Sequence, residues 1–107
     1  MTRPYIPIHK IRLYLLNPDH PQGREKARFF LQFGFSLNNF EALEASLKAH
    51  PFEAKLITSE KTPDGQSKLI FECEINVPNG RRPCIRSVWI EEPDTTILRL
   101  VTANPFQ

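Results

Sequence analysis

The sequence predicts a single α+β domain over residues 1–107, in which about three N-terminal helices pack on one face of a four-stranded antiparallel meander. Its 107 residues match the size of one ordinary domain, and a hydrophobic content of 40% with eight phenylalanines is enough for one core. The spacing of apolar residues is helical before Pro51 and alternates after it. Turn signals then divide the second half into strands whose connections are too short for parallel crossovers.

The first helix is expected after a short extended segment, because Pro4 and Pro7 hold the chain extended there. Its apolar residues are Ile8, Ile11, Leu15 and Leu16. It should end near Asn17, since Pro18 disfavours helical geometry in the residue before it. The segment NPDHPQG that follows has the composition of a rigid turn.

The second helix is predicted from about Gln22 to Phe33, with Gly34 as its C-cap. Its buried stripe is Phe29, Phe30 and Phe33. Lys26 precedes these residues by three, four and seven positions, so it shares their face of the helix, which is unusual for lysine. Either this side chain has a function, or its stem packs while the ammonium group reaches water.

The third helix is expected to open with Asn38 and Glu41, whose spacing resembles a capping box. Its apolar face consists of Phe40, Leu43 and Leu47. Pro51 is expected to end it.

Four strands are predicted in the second half, near residues 53–61, 67–77, 82–91 and 96–103. The turns between them fall at Pro63-Asp64-Gly65, Asn79-Gly80 and Pro93-Asp94. No repeat, linker or low-complexity segment interrupts this series.

A two-residue turn at Asn79-Gly80 fixes the register of the central hairpin. It pairs Ile75 with Cys84, Cys73 with Arg86, Phe71 with Val88, and Leu69 with Ile90. Arg86 then lies on a mostly apolar face, whereas Ser87 and Trp89 lie on the solvent side. A buried arginine needs a partner, so Arg86 is either part of a site or pairs with a carboxylate or with water.

The loop before the last strand decides which residues of that strand face the core. An odd number of loop residues puts Leu98 and Leu100 on the apolar face and Thr102 opposite Arg86. An even number instead puts Arg99 on the apolar face with Ile97 and Val101, and leaves Thr102 on the other face. We favour the odd loop, since it buries two leucines and leaves Arg99 in water.

Composition excludes several broad classes. The formal net charge of +2 is only mildly basic, without the strong patch of an electrostatically driven nucleic-acid binder. No apolar run resembles a signal sequence or approaches the roughly 20 residues of a membrane span. Cys73 and Cys84 are too few for a disulfide framework and are expected as buried thiols in a reducing compartment, so a cytoplasmic location is predicted.

His20 is the histidine most suited to a site, because it lies in the rigid turn just before Lys26 and near a helix N-terminus that favours anions. The alternative is an exposed loop histidine. His9 and His50 have no surrounding motif and are expected at the surface. No spacing of metal ligands, glycine-rich phosphate loop or nucleophile elbow is present, so no metal or cofactor is predicted.

The segment LLNPDHPQGREKARFF, from Leu15 to Phe30, resembles a family of small bacterial domains of unknown function with the pattern LNPxHPxGxxKAxFF. SVWI at Ser87–Ile90 and RLVTANP at Arg99–Pro105 continue the resemblance. It implies a toxin module, as found in polymorphic toxins or beside a small companion protein in toxin–antitoxin pairs. Its helices and sheet are similar to those of the barnase, EndoU, colicin and RelE ribonucleases. The family pattern falls on Asn17, Pro18, His20, Pro21, Gly23, Lys26, Ala27, Phe30, Arg86, Trp89 and Thr102.

The first functional hypothesis is a metal-independent endoribonuclease toxin, restrained by a small antitoxin or immunity-type protein. His20 would transfer a proton, Lys26 and Arg86 would hold the phosphate, and Thr102 would donate a hydrogen bond. Asn17, Arg24 and Trp89 would bind the RNA, Trp89 by stacking on a base.

The second hypothesis is a non-catalytic module that binds a small companion protein. Here Arg86 and the NPDHP turn are structural, and the exposed face around Trp89 is the interface. A third hypothesis, RNA binding without catalysis, has less support because the basic residues are dispersed along the chain.

Overall fold

A computed structural model describes residues 3–92 and 95–106 of the chain. It is an α+β fold whose sheet has five strands, of mixed direction, and not the four antiparallel strands that were expected. The strands are β1 (Arg3–Tyr5), β2 (Lys55–Lys61), β3 (Ser67–Glu74), β4 (Cys84–Glu91) and β5 (Ile97–Pro105). Their order across the sheet is β1-β5-β4-β3-β2. The predicted sheet is therefore wrong, because β1 adds a fifth strand in parallel to the antiparallel strands β2 to β5.

The additional strand, β1, pairs in parallel with β5, through Arg3 with Ile97 and Tyr5 with Arg99. Proline rigidity predicted the extended backbone here but not its partner, which lies more than ninety residues further along the chain. Pro4 is compatible with this position, because an edge strand needs hydrogen-bond donors on one side only.

Three helical segments precede β2, close to the predicted positions. The first is a short helix, α1 (Ile8–Lys10), which continues as a π-helical turn over Ile11–Leu15. The second is α2 (Arg24–Gln32), and the third is α3 (Phe40–Glu53), which follows a 3₁₀ turn at Leu37–Asn39. Gly34 has φ +102°, as expected for a left-handed C-cap after α2.

Both predicted ends of α3 are wrong by a few residues. The capping box is formed by Ser36 and Asn39 instead of Asn38 and Glu41, and the Ser36 N–H donates to Asn39 Oδ1 at 2.6 Å. Pro51 lies inside the last turn of the helix, which continues to Glu53. A proline so near the end deprives only one carbonyl group, that of Leu47, of its helical donor.

The register of β3 against β4 differs by one residue from the prediction. Cys73 pairs with Ile85, and Glu72 pairs with Arg86. The connection is a nine-residue loop (residues 75–83) and not a two-residue turn at Asn79-Gly80. The Ile75 N–H donates to Pro83 O at 3.0 Å at the base of this loop, in the same register. A slip of one residue exchanges the two faces of a strand. The predicted faces of Arg86 and Trp89 are therefore reversed.

Tertiary contacts hold this loop in place. The Asn79 N–H donates to Phe33 O at the end of α2. A Cβ atom at Gly34 would lie 2.9 Å from Pro78 Cβ, so the loop packs directly against the glycine C-cap. The loop is thus part of the junction between sheet and helices.

The core lies between the helices and one face of the sheet. The sheet contributes Phe71, Ile85, Trp89, Leu98, Leu100 and Ala103, and the helical half contributes Ile11, Leu15, Leu16, Phe30, Leu43 and Leu47. Leu98 and Leu100 are buried, as the odd-loop alternative predicted, although the Pro93-Asp94 turn itself lies outside the described residues. Within the described ranges, no helix is long and apolar enough to cross a membrane.

Two predictions about individual side chains are wrong. Cys73 and Cys84 form a disulfide across β3 and β4 instead of two buried thiols. His50, expected at the surface, is only 1% exposed, whereas His9 is exposed as predicted.

Candidate functional site

An open cleft of about 400 Å³ lies beside β5, where that strand continues past the short strand β1. Its lining residues come from the first helical segment, the NPDHPQG turn, α2 and β5: Lys10, Tyr14, His20, Gln22, Lys26, Val101 and Thr102. Three of the four predicted catalytic residues, His20, Lys26 and Thr102, therefore meet in one place. None of the lining residues is a carboxylate.

An irregularity in β5 shapes the floor of the cleft. Thr102 pairs with Val88 and Leu100 pairs with Trp89, so Val101 is an extra residue in a β-bulge. Lys10 Nζ donates to Val101 O at 2.9 Å and so satisfies a carbonyl group at the free edge of the strand. Thr102 therefore does not lie opposite Arg86, which was its predicted partner and which pairs with Asn104.

Tyr14 is at the centre of the cleft, although the sequence analysis did not single it out. Its hydroxyl group forms a hydrogen bond with Lys26 Nζ, which also lies 4.7 Å from the centre of the Tyr14 ring. The π-helical turn keeps Lys10 and Tyr14 on one side, since such a turn has more than four residues per revolution. The i, i+4 spacing of Lys10 and Tyr14 was the signal in the sequence that could have revealed this pair.

Gly23 allows α2 to approach Tyr14 closely. A Cβ atom at Gly23 would lie 2.6 Å from Tyr14 O and 2.9 Å from Tyr14 Cδ1. Any other residue would push the start of α2 away from Tyr14. Gly23 thus sets the distance between Tyr14 and the helix that carries Lys26.

The chemical state of Tyr14 is altered by its neighbours. Burial raises the pKa of the phenol, but hydrogen bonding to Lys26 and Thr102 and the charges of Lys26 and Lys10 outweigh this effect, so its pKa is lowered. Thr102 Oγ1 is buried without a hydrogen bond of normal geometry to any described residue, although it lies near enough to Tyr14 to contribute to this shift. A phenol that ionises more easily than usual is a candidate for proton transfer.

His20 is held with a defined orientation. Its Nδ1 accepts hydrogen bonds from the backbone N–H groups of Gln22 and Gly23, both at 3.1 Å. Its ring packs edge-on against Tyr14, with 4.9 Å between the ring centres. Because Nδ1 is an acceptor, the neutral ring carries its proton on Nε2. The geometry therefore favours a hydrogen-bond donor at this position over a proton acceptor.

The other predicted site residues lie outside the cleft lining. Asn17 stabilises the turn, where its Oδ1 accepts from the Asp19 N–H at 3.0 Å and its Nδ2 donates to Leu13 O at 3.2 Å. Arg24 is exposed at the start of α2. These positions leave Asn17 with a structural role in the turn that carries His20.

Arg86 belongs to a separate ion pair. Its Nε and Nη2 atoms both lie 2.7 Å from Glu72 Oε2, and its guanidinium group stacks 4.6 Å from the centre of the Phe106 ring. This is the carboxylate-pairing alternative that the sequence analysis left open. Arg86 is thus engaged by neighbouring side chains rather than directed at the cleft.

Trp89 is completely buried and cannot form an exposed interface. Its Nε1–H donates to Ser87 Oγ at 2.9 Å, and Ser87 Oγ lies 2.7 Å from His50 Nδ1. His50 Nε2 lies 3.0 Å from Cys73 O, which can only accept, so the neutral ring carries its proton on Nε2. Burial lowers the pKa of His50 and favours this neutral form. The network joins α3 to the sheet, and none of its residues lines the cleft.

Among residues 3–92 and 95–106, no group of three or more His, Cys, Asp or Glu side chains is arranged to hold a metal ion.

The chain belongs to the family DUF6883, a domain of unknown function, whose family model matches residues 1–107. No curated protein and no solved structure shows a significant match to the chain.

Proposed function

We propose that this domain is a metal-independent endoribonuclease of the toxin type and that its cleft binds the phosphodiester that is cleaved. The observation that carries the proposal is the cluster of Lys10, Lys26 and the His20 Nε2–H around Tyr14, whose pKa is lowered. Cations and N–H donors without a carboxylate favour an anionic substrate, and a phenol that ionises readily supplies a base.

In the proposed reaction, the ionised Tyr14 takes the proton of the ribose 2′-hydroxyl group. The 2′-oxygen then forms a bond to phosphorus as the bond from phosphorus to the 5′-oxygen breaks, and the leaving oxygen takes a proton from water in the open cleft. Lys26, which is hydrogen-bonded to the Tyr14 hydroxyl group, stabilises both the phenolate and the negative charge that develops on the phosphate.

The remaining cleft residues bind and orient the phosphate in this proposal. His20 donates from Nε2, because its Nδ1 is occupied by two backbone N–H groups. Lys10 uses one ammonium hydrogen for Val101 O and keeps two for the substrate. Thr102 contributes a hydroxyl group that lacks a well-formed hydrogen bond among the described residues.

The proposal differs from the sequence-based hypothesis in its assignment of residues. Tyr14 and Lys10 are added to the proposed site. Arg86 is removed from it because it contacts Glu72, and Trp89 is removed because it is buried. A toxin of this type would act on cytoplasmic RNA and would be restrained by a small companion protein.

The test is cleavage of total RNA and purified tRNA in EDTA by the purified domain. The wild type should give discrete fragments, and Tyr14→Phe should reduce the rate by about 100-fold or more, as expected for loss of a general base. The wild-type rate should rise with pH until Tyr14 is ionised, because only the phenolate accepts a proton, and Tyr14→Phe should lack this dependence.

The matched control is Arg86→Gln combined with Glu72→Gln, which removes both charges of a pair outside the cleft. This variant should retain wild-type activity. Full activity in Tyr14→Phe would contradict the proposed mechanism. Loss of activity in the control alone would indicate that Arg86, and not Tyr14, belongs to the active site. Intact RNA at all wild-type concentrations would contradict ribonuclease function.

A further inference from the structure

A shallow depression of about 170 Å³ lies on the same edge of the sheet as the cleft. It is formed by β1 and the first residue of β5, and its lining consists of Arg3, Pro4, Tyr5 and Ile97. Tyr5 is 52% exposed and Ile97 is 40% exposed, so an aromatic and an aliphatic side chain meet water here. The phosphodiester site proposed above does not use this depression.

The strand register puts three of the lining side chains on one face of the sheet. Residues two apart in a strand share a face, so Arg3 and Tyr5 lie on the same side. Ile97, the partner of Arg3 in β5, lies with them. Leu98, the next residue, is buried in the core, so the shared side is the one opposite to the helices.

The depression and the cleft follow one another along β5. Ile97 and Val101 are four residues apart, a length of strand of about 13 Å at most. Tyr5 pairs with Arg99, halfway between them. β1 ends at Tyr5, and the chain then leads to Lys10, whose Nζ donates to Val101 O in the cleft. A ligand that fills the cleft and follows β5 towards its start therefore reaches Tyr5 next.

The lining of the depression suits a nucleobase. A base binds through its flat face, and unpaired bases of RNA stack on aromatic rings and on the guanidinium plane of arginine. Both kinds of group are present, as Tyr5 and Arg3, and Ile97 adds an apolar contact. No carboxylate is among the lining residues, so none repels the phosphates beside the base.

The charges around the cleft favour RNA as the ligand that continues into the depression. Lys10, Arg24 and Lys26 contact no carboxylate among the described residues, and the ion pairs found there lie elsewhere. Glu92 is held 3.5 Å from Arg99, so this pair between depression and cleft carries no net charge. Cations that follow a backbone, with an aromatic side chain beside them, are typical of proteins that bind single-stranded nucleic acid. A duplex would keep its bases stacked inside the helix, out of reach of such a side chain.

We infer that the depression is a nucleobase subsite and that the domain acts on single-stranded RNA, with a base next to the bound phosphodiester stacked on Tyr5. The identity of the ligand rests on the proposed function, but the subsite does not require that the RNA be cleaved. Because every base has a flat face, the subsite selects unpaired bases and not one sequence.

The test measures binding of a short single-stranded RNA whose 2′-hydroxyl groups are methylated, so that it binds but cannot be cleaved. Dissociation constants are measured by fluorescence anisotropy at one fixed salt concentration, because phosphate contacts depend on salt. Tyr5→Ala should raise Kd by about 5- to 150-fold, the range for loss of one stacked base. Tyr5→Phe, which keeps the ring, should stay within about twofold of the wild type.

The matched control is Phe52→Ala, because Phe52 is an exposed aromatic residue (64%) that lines neither the depression nor the cleft. This variant should bind the RNA as the wild type does. A duplex of the same sequence should bind Tyr5→Ala and the wild type equally, since its bases are not free to stack on a side chain.

A series of RNAs, each with one nucleotide made abasic, locates the base that is bound. At one position, loss of the base should weaken binding to the wild type and have no further effect on Tyr5→Ala, since the base and the ring belong to the same contact. Should Tyr5→Ala fail to fold by circular dichroism, Tyr5→Leu, which keeps an apolar side chain without an aromatic face, replaces it in each comparison.

Four results would overturn the subsite: no binding of the single strand by the folded wild type, equal Kd values for the wild type and Tyr5→Ala, equal weakening in Phe52→Ala, or an abasic series that weakens both proteins alike. Failure of the proposed function is distinguishable from these. Binding that depends on Tyr5, by a protein that leaves total RNA intact, would refute ribonuclease function and support the subsite. Cleavage of RNA together with binding that does not depend on Tyr5 would overturn the subsite alone.

Discussion

Ser87→Ala should destabilise the domain strongly, although it removes only one hydroxyl group. The Ser87 hydroxyl donates to His50 Nδ1 and accepts from the Trp89 Nε1–H, and all three side chains are buried. Its removal leaves one buried acceptor and one buried donor unpaired, at about 1–3 kcal/mol each. The expected loss in the free energy of unfolding is therefore about 2–6 kcal/mol.

The loss can be measured by urea unfolding followed by the fluorescence of Trp89, the single tryptophan of the chain. For a domain of this size, each kcal/mol corresponds to about 4–8 °C in Tm, so a fall of at least about 8 °C is expected. Ser59→Ala, at an exposed position on β2, is the matched control and should change stability by less than about 0.5 kcal/mol. A loss below about 1 kcal/mol in Ser87→Ala would refute the reasoning that His50 and Trp89 have no other hydrogen-bond partner, in the protein or in water, once the hydroxyl group is removed.

Two further predictions concern pH and backbone packing. The pKa of His50 is lowered in the folded protein, so below about pH 6.5 the unfolded state takes up a proton that the folded state resists. The contribution of His50 to stability should be fully present above that pH and be lost as the solution becomes more acidic. Thermal melts at several pH values should show this as a falling Tm. An equally steep fall of Tm with pH in His50→Gln would contradict the prediction. Gly23→Ala should lower Tm and move Tyr14, because the new Cβ would lie 2.6 Å from Tyr14 O, whereas Gly65→Ala, where nothing lies within 4 Å, should cost only about 1 kcal/mol of backbone strain. Equal Tm values for the two glycine variants would show that α2 can move away from Tyr14 freely.

Local sequence patterns were sufficient for most elements. Helical spacing located α1, α2 and α3, and alternation located β2 to β5, because both periods reflect burial on one face of an element. Gly34 identified the end of α2, since its φ of +102° suits glycine. The same reasoning identified His20 and Lys26 as candidate site residues, and the structure places both in one cleft.

The errors arose where distant parts of the chain decide the outcome. The loop before β4 resembles a short hairpin turn locally, but its contacts with Phe33 and Gly34 hold it in a longer form. The resulting one-residue slip reversed the faces of β4 and buried Trp89. Separately, the pairing of β4 with the bulged strand β5 put Thr102 opposite Val88 instead of Arg86. Tyr14 was missed because it is neither part of the apolar stripe nor charged, and its role depends on the later residue Lys26.

The parallel pairing of β1 with β5 has a consequence for folding during synthesis on the ribosome. The walls of the cleft come from residues 10–26, which are synthesised well before the residues of its floor, Val101 and Thr102. Contacts so far apart in the chain form late, because a long loop must close before they contribute. A nascent chain therefore carries the proposed proton-transfer residue before it has the floor of the cleft, and any activity should begin only when β5 has joined the sheet.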